Sequence, residues 1–385
     1  MKILHVFTLA MTAESFFDGQ FACLAAAGYE IHLASATIPS EEFCQRNKIT
    51  FHQINIARRV DLKADLISTK ALIDLIKREK FDAVFGHTPK GALVAMMAAK
   101  FSRINNRIYY RHGLIYTTAT GIKRSVFKIV EQFTSALATK IVNVSPSLSK
   151  LAIADRLNRN RKQIVIGNGT CGGIDAIGVF SPQSITDAEI SNIRRNLIGE
   201  SDFVVGFCGR LCRDKGIEEL VEGFKLFKTK HPEIKPKLLL VGPYDQRDIL
   251  ADNIKREIID NVDIIATGNQ EKAQLPALYS LMDVFVFPSY REGFGMCVIE
   301  ASSMGIPILV SRSHGCIDSI LENKTGRYIE ITAESIASRL GEMLDVNLRD
   351  YLGNGGREFV LNNFDYTVMW PQIIKMYDEE LFNKK

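Results

Sequence analysis

The sequence predicts an α/β protein built from two doubly wound domains, each a parallel sheet wrapped by helices, and three observations carry that prediction. Apolar runs of strand length alternate with longer amphipathic segments, the signature of successive βαβ units. The alternation breaks around Gly167–Ala188, which holds five glycines and one proline, and then restarts. At 385 residues the chain is long for one hydrophobic core but suits two of ordinary size, each closing without disulfides.

The elements follow in order. KILHVFT reads as a buried first strand and not as the apolar core of a signal peptide, because His5 interrupts it and the basic region is a single lysine. A helix around Gly19–Ala27, the strand EIHLAS, a helix around Lys63–Glu79, the strand AVFGHT, a helix around Gly91–Phe101, the strand RIYYRHG, a helix around Lys123–Ala138 and the strand KIVNVS complete the first half. In the second half FVVGFCG (203–209), KLLLVG (237–242), VFVFPS (284–289) and PILVS (307–311) read as strands, with IEELVEGFKLFKT as the first helix. The last segment, DYTVMWPQIIKMYDEELF, is helical by apolar spacing except where Pro371 interrupts it, with Trp370 and Tyr377 on the packed face. These readings divide the chain into a first domain at 1–175, a second at 190–365 and a terminal helix at 366–385 expected to pack back toward the first.

Composition narrows the function classes. With 46% hydrophobic and 24% charged residues and a net charge of +4, the chain is an ordinary globular protein, and its charge is too small to predict nucleic-acid binding. The nearest approach to a spanning segment, GALVAMMAAKF, is too short for a bilayer. Seven cysteines without a C-x-x-C pair read as reduced, buried thiols, so a cytoplasmic location is expected. Neither half carries G-x-G-x-x-G after its first strand or a Walker A sequence, which argues against dinucleotide oxidoreductases and P-loop enzymes. There is no D-x-D between strands to hold a divalent cation on a diphosphate, so no metal and no cofactor are expected.

Candidate chemistry concentrates in the second half. GFCGRLCRDKGIEELVEGF places Arg210 and Lys215 in the loop between a strand and a helix, where this kind of fold binds anions. In PSYREGFGMCVIEASSMGIPI a helix is expected over Phe294–Met304, with Glu292 before it and Glu300 within it. An all-helical step between those glutamates spans ~12 Å, wider than a glycosidase pair and suited to gripping two ends of an elongated polyhydroxyl ligand. The N–H groups of Gly293, Phe294 and Gly295 lie between them. As plain structural residues, Glu292 would serve the helix dipole and Glu300 would sit unpaired in an apolar helix, which is costly.

The combination G-R-L-x3-K-G and E-G-F-G-x4-E, with TGNQEKAQLPALYSLMDVFVFPS between, resembles the donor domain of the retaining glycosyltransferases of family 4, whose architecture of two Rossmann-like domains facing a cleft is called GT-B. The resemblance implies that Arg210 and Lys215 bind the donor diphosphate, Glu292 the transferred sugar and Glu300 the ribose. In the first half RHGLIYTTATGIKRSVFKIVEQF resembles members that extend polyprenyl-diphosphate-linked glycans in capsule, O-antigen or exopolysaccharide assembly, and it implies that His112 approaches the donor sugar. GNGTCGGID resembles the family's glycine-rich interdomain stretch. The loop TLAMTAESFFDGQ departs from the family, having only Gly19 where many members have a Gly-Gly pair to meet the donor.

The resulting expectation is transfer, with retention, of a hexose or N-acetylhexosamine from a nucleotide-diphosphate sugar, with UDP as the nucleotide, to a polyprenyl-diphosphate-linked glycan. A nucleotide-sugar 2-epimerase and a non-catalytic nucleotide-sugar-binding module are the alternatives. Arg58, Arg59 and Lys63, and Lys123, Arg124 and Lys128 beside Ile122, Val126 and Phe127, fit peripheral contact with an anionic inner membrane surface; two solvated helix faces fit them as well.

Overall fold

The computed structural model describes residues 1–58, 61–199, 201 and 203–382. The chain divides into two compact units, Met1–Gly173 with Met369–Lys385, and Ile174–Val368.

The first unit holds a seven-stranded parallel sheet in the order β3-β2-β1-β4-β5-β6-β7. Its strands are β1 (Lys2–Val6), β2 (Glu30–Ser35), β3 (Ile49–Gln53), β4 (Ala83–His87), β5 (Asn106–Arg111), β6 (Lys140–Asn143) and β7 (Gln163–Val165). The inner strands are buried on both faces because helices cover both. One face packs Leu4, Val6 and Val84 against Leu72, Leu75 and Ile76 of the helix Leu62–Glu79. The second unit holds six parallel strands in the order β10-β9-β8-β11-β12-β13. These are β8 (Phe203–Cys208), β9 (Pro236–Val241), β10 (Ile264–Gly268), β11 (Val284–Phe287), β12 (Ile308–Ser311) and β13 (Gly326–Ile329). In each sheet the connection reverses direction once, between β1 and β4 and between β8 and β11, and loops at such switch points form the binding crevice of this fold.

Two expectations are corrected. The helix expected from Phe294 begins at Met296 and ends at Ser303, because Gly295 takes a left-handed φ of 81° that breaks the helical path. The terminal helix runs unbroken from Tyr366 to Phe382 with Pro371 inside it. The ring removes one N–H from the ladder, and burial of Met369, Ile373 and Tyr377 on one side compensates. Tyr377 stacks on Phe85 with ring centres 4.8 Å apart, which ties this helix to the first sheet.

Among the described residues no helix is long and apolar enough to cross a membrane. The helix Gly121–Leu137 exposes Ile122, Val126, Ile129 and Phe133, spaced by four, three and four, as one apolar stripe. Lys123 and Arg124 beside it are exposed, whereas Lys128 is drawn aside by Asp155 at 2.9 Å. Of the other basic cluster, Arg59 lies outside the described residues.

Candidate active site

β8 and β11 are hydrogen-bonded neighbours, so the loops leaving their carboxyl ends lie side by side at the switch point. Asp214 stitches them together. Its backbone oxygen accepts from the Tyr290 N–H at 2.9 Å, and its carboxylate accepts from Arg291 at 2.7 Å. The β8 loop turns into its helix, Ile217–Lys230, at Gly216, whose φ is 68° and whose absent Cβ would stand 2.2 Å from the Pro288 oxygen. Only glycine permits that approach.

This stitching brings Lys215 and Glu292 into a direct ion pair with side chains only 12% and 15% exposed. Burial pulls the Lys215 pKa down, but the Glu292 carboxylate outweighs it, and the ammonium stays charged with its pKa above the ordinary value. Lys215 Nζ also lies over the Phe287 ring, 5.4 Å from its centre. The structure thus joins two residues to which the sequence assigns separate ligand groups. Arg210 is half exposed and ion-paired with Asp245, whose other oxygen accepts from the N–H groups of Arg247 at 2.7 Å and Asp248 at 3.1 Å.

No acceptor among the described residues stands opposite the N–H groups of Gly293, Phe294 and Gly295, which precede the helix Met296–Ser303. The Phe294 side chain points inward and meets Phe364 edge-on at 5.1 Å, so it anchors the loop. Beneath this loop lies Gly315, where a Cβ would stand 2.6 Å from the Gly293 oxygen.

Glu300 is partly buried and accepts from the Tyr279 hydroxyl at 2.9 Å. Desolvation raises its pKa above the usual carboxylate value, against the pull of Tyr279 and Lys272. Nearby thiols are pushed up by burial as well, Cys208 and Cys316 to about 12 and Cys212 to about 11, which keeps them protonated and unreactive. None of the seven cysteines forms a disulfide.

The remaining candidates lie in the first unit. His112 follows β5; its Nε2 faces His87 Nδ1 at 3.1 Å and its Nδ1 faces Cys171 Sγ at 3.3 Å. Burial lowers its pKa to about 4, so it is neutral at physiological pH. Gly19 stands at the start of the helix Gln20–Ala26. Its N–H donates to Asn47 Oδ1 at 2.8 Å, and the Trp370 ring occupies the space where a Cβ would stand, 2.9 Å away. The residue's smallness admits the tryptophan. Tyr279, Asp245 and Gly315 escape the sequence reading, and only Tyr279 leaves a signal, as the aromatic of ALYSLMD. A recess of about 540 Å³ beside Leu321, Thr325 and Phe359 contains none of the candidate residues.

Both units of the chain resemble known proteins. Residues 189–359 match the family model described as glycosyl transferases group 1, and residues 5–145 match the model described as glycosyl transferase 4-like. The capsular polysaccharide biosynthesis glycosyltransferase CapM of Staphylococcus aureus is 29% identical over 379 residues, covering 98% of this chain and 97% of that one. An Escherichia coli UDP-Gal:α-D-GlcNAc-diphosphoundecaprenol α-1,3-galactosyltransferase is 22% identical over 90% of this chain and 88% of its own. Among solved structures, a glycosyltransferase of Rickettsia africae superposes with a TM-score of 0.80 at 21% identity, covering 100% of this chain and 99% of that one. Anabaena HepE in complex with UDP and glucose does so with a TM-score of 0.78 at 17% identity, covering 97% and 98%. The two family models lie one on each unit, and the chain belongs to the group 1, glycosyltransferase 4-like family of glycosyltransferases with the GT-B fold.

Proposed function

We propose that the protein transfers a hexose or N-acetylhexosamine from a UDP-linked donor, with retention, to a polyprenyl-diphosphate-linked glycan during capsule or related polysaccharide assembly. The observation that carries this reading is the nearly buried Lys215–Glu292 pair beside the N–H groups of 293–295, which have no acceptor among the described residues, at the switch point of the second sheet. A cation and oriented N–H groups suit a diphosphate, and a carboxylate next to them suits the hydroxyls of the sugar it carries. As the glycosidic bond breaks, charge grows on the departing diphosphate, and Lys215, Arg210 and those N–H groups stabilise it without a metal. Arg210 leaves or shares Asp245 to reach it. Glu292 orients the sugar, Glu300 takes the ribose, and His112 has the sugar contact that the family resemblance implies.

The names of two relatives support the acceptor and the stereochemistry. The E. coli enzyme and an N,N'-diacetylbacillosaminyl-diphospho-undecaprenol α-1,3-N-acetylgalactosaminyltransferase of Campylobacter jejuni, 23% identical over 81% of this chain, both form α-linkages on diphosphoundecaprenol-borne sugars. UDP-galactose is itself an α-glycoside, so an α-product retains its configuration. The apolar stripe of Gly121–Leu137, with Lys123 and Arg124, suits contact with the anionic membrane surface where such an acceptor resides.

The test is a panel of nucleotide sugars read by melting temperature, followed by product analysis with the donor that stabilises most. A new glycoside formed in the presence of EDTA supports the proposal. An isomerised nucleotide sugar would indicate the epimerase, and binding without turnover across acceptors the non-catalytic module.

A further inference from the structure

Two histidines sit on adjacent strands of the first sheet, β1 and β4, and a third directly follows the next strand, β5. His5 is on β1 in register with Phe85, two residues before His87; His87 ends β4 in register with Tyr110, two residues before His112. Side chains two residues apart share a face, so the three form a diagonal that moves one strand across and two residues toward the carboxyl ends at each step. It crosses the β1–β4 switch point.

The ring nitrogens meet in series. His5 Nδ1 lies 2.9 Å from His87 Nε2, and His87 Nδ1 lies 3.1 Å from His112 Nε2. At the far end the Tyr377 hydroxyl is 3.5 Å from His5 Nε2, and at the near end His112 Nδ1 is 3.3 Å from Cys171 Sγ. Phe7, Phe17, Phe21, Phe85 and Tyr110 wall the line, and His5, His87 and Tyr377 are wholly inaccessible to water. Desolvation holds all three imidazoles neutral: His5 is lowered to about 3, His112 to about 4, and His87 well below its usual value.

A neutral imidazole has one N–H and one lone pair, so a series of three must point one way throughout. The phenol decides which way. Its only acceptor among the described residues is His5 Nε2. If the series ran toward the tyrosine, His5 would donate and the buried phenolic proton would have no acceptor, which is disfavoured.

We infer that Tyr377, His5 and His87 form a one-way hydrogen-bond relay that fixes His112 with its proton on Nδ1, making these three positioning residues of the transferase site. His112 then offers a hydrogen-bond donor on the side where its present partner is a weakly accepting thiol, which a sugar hydroxyl oxygen readily displaces. Its one lone pair, on Nε2, is occupied by His87, so His112 is not the base that deprotonates the acceptor. The role of His112 rests on the sugar contact proposed above; the relay itself does not.

Long-range ¹H–¹⁵N spectra of the full chain labelled with ¹⁵N-histidine test the relay without any ligand. His5, His87 and His112 should all show protonated Nδ1 and bare Nε2. An Nε2–H tautomer at His112 in the parent would overturn the inference. In Tyr377→Phe, which keeps the ring volume, His5 and His112 should shift to mixed tautomers, whereas Tyr29→Phe, which removes the 2.5 Å bond to Asp378 on the same helix, should leave them unchanged. An unaltered His112 signal in folded Tyr377→Phe would also overturn it. Should that variant not fold, His5→Gln interrupts the same series, and the parent spectrum already decides the polarity. Unchanged turnover in His112→Ala would remove the proposed sugar contact, a failure distinct from that of the relay.

Discussion

Replacing Glu292 by glutamine should make the free enzyme less stable and yet bind UDP more tightly. In the unliganded protein the Lys215 ammonium is nearly buried, and its negative partner is Glu292. Removing one member of a buried pair costs about 3–5 kcal/mol. Glutamine keeps a hydrogen-bond acceptor, so about 2 kcal/mol is the reasonable loss for Glu292→Gln. A bound diphosphate returns a negative partner to Lys215 in the variant, while in the parent it competes with a carboxylate already there. UDP affinity should therefore rise by roughly tenfold or more, and the UDP-induced rise in melting temperature should be larger in the variant than in the parent. Turnover of the intact donor should fall at the same time, because the sugar loses its orienting carboxylate. Calorimetric titration with UDP and thermal unfolding with and without UDP read both quantities. Weaker UDP binding in Glu292→Gln would refute the reasoning, since it would mean that Glu292 helps rather than opposes the diphosphate.

Other outcomes follow from the same geometry. Glu300→Gln should weaken UDP binding by roughly one to two powers of ten, the loss of a charged hydrogen bond to a ribose hydroxyl of about 1.5–3 kcal/mol, and calorimetry with UDP checks it. The folded-state pKa values of His5 (about 3) and His112 (about 4) lie below the unfolded value of about 6.5, so the unfolded chain binds more protons below that value and stability falls as pH falls. From pH 7 to 5.5 these two should together cost about 2.5 kcal/mol, visible in urea unfolding and reduced in His112→Gln. The parent should float with anionic liposomes at low salt and Ile122→Glu with Ile129→Glu should not; failure of the parent to associate would dismiss the membrane contact.

What could be read from sequence followed burial. The nine apolar runs of the sequence are the interior strands of the two sheets, whereas β3, β7, β10 and β13, which the apolar pattern does not reveal, are the four edges. An edge strand such as ITFHQ has no residue fully buried, so it never becomes a continuous apolar run. The apolar pattern starts the helix after Glu292 two residues early because Gly295 adopts a left-handed φ that composition does not announce. Long-range pairings stayed hidden for a different reason. Lys215 with Glu292, Arg210 with Asp245 and Tyr279 with Glu300 are separated by 77, 35 and 21 residues; the first two pairs meet because neighbouring strands align their loops, and the third because the helices Leu275–Tyr279 and Met296–Ser303 bring their side chains together. The histidine diagonal needs the strand register, which one sequence does not supply.

Incubation with a stabilising UDP-sugar and a short polyprenyl-diphosphate-linked saccharide, with the product's anomeric configuration read by NMR, asks whether the Lys215–Glu292 site performs the proposed transfer. The expected result is an α-glycoside on the lipid-linked saccharide, formed with EDTA present and lost in Lys215→Ala. A β-linked product, or an isomerised UDP-sugar with the acceptor untouched, would contradict it.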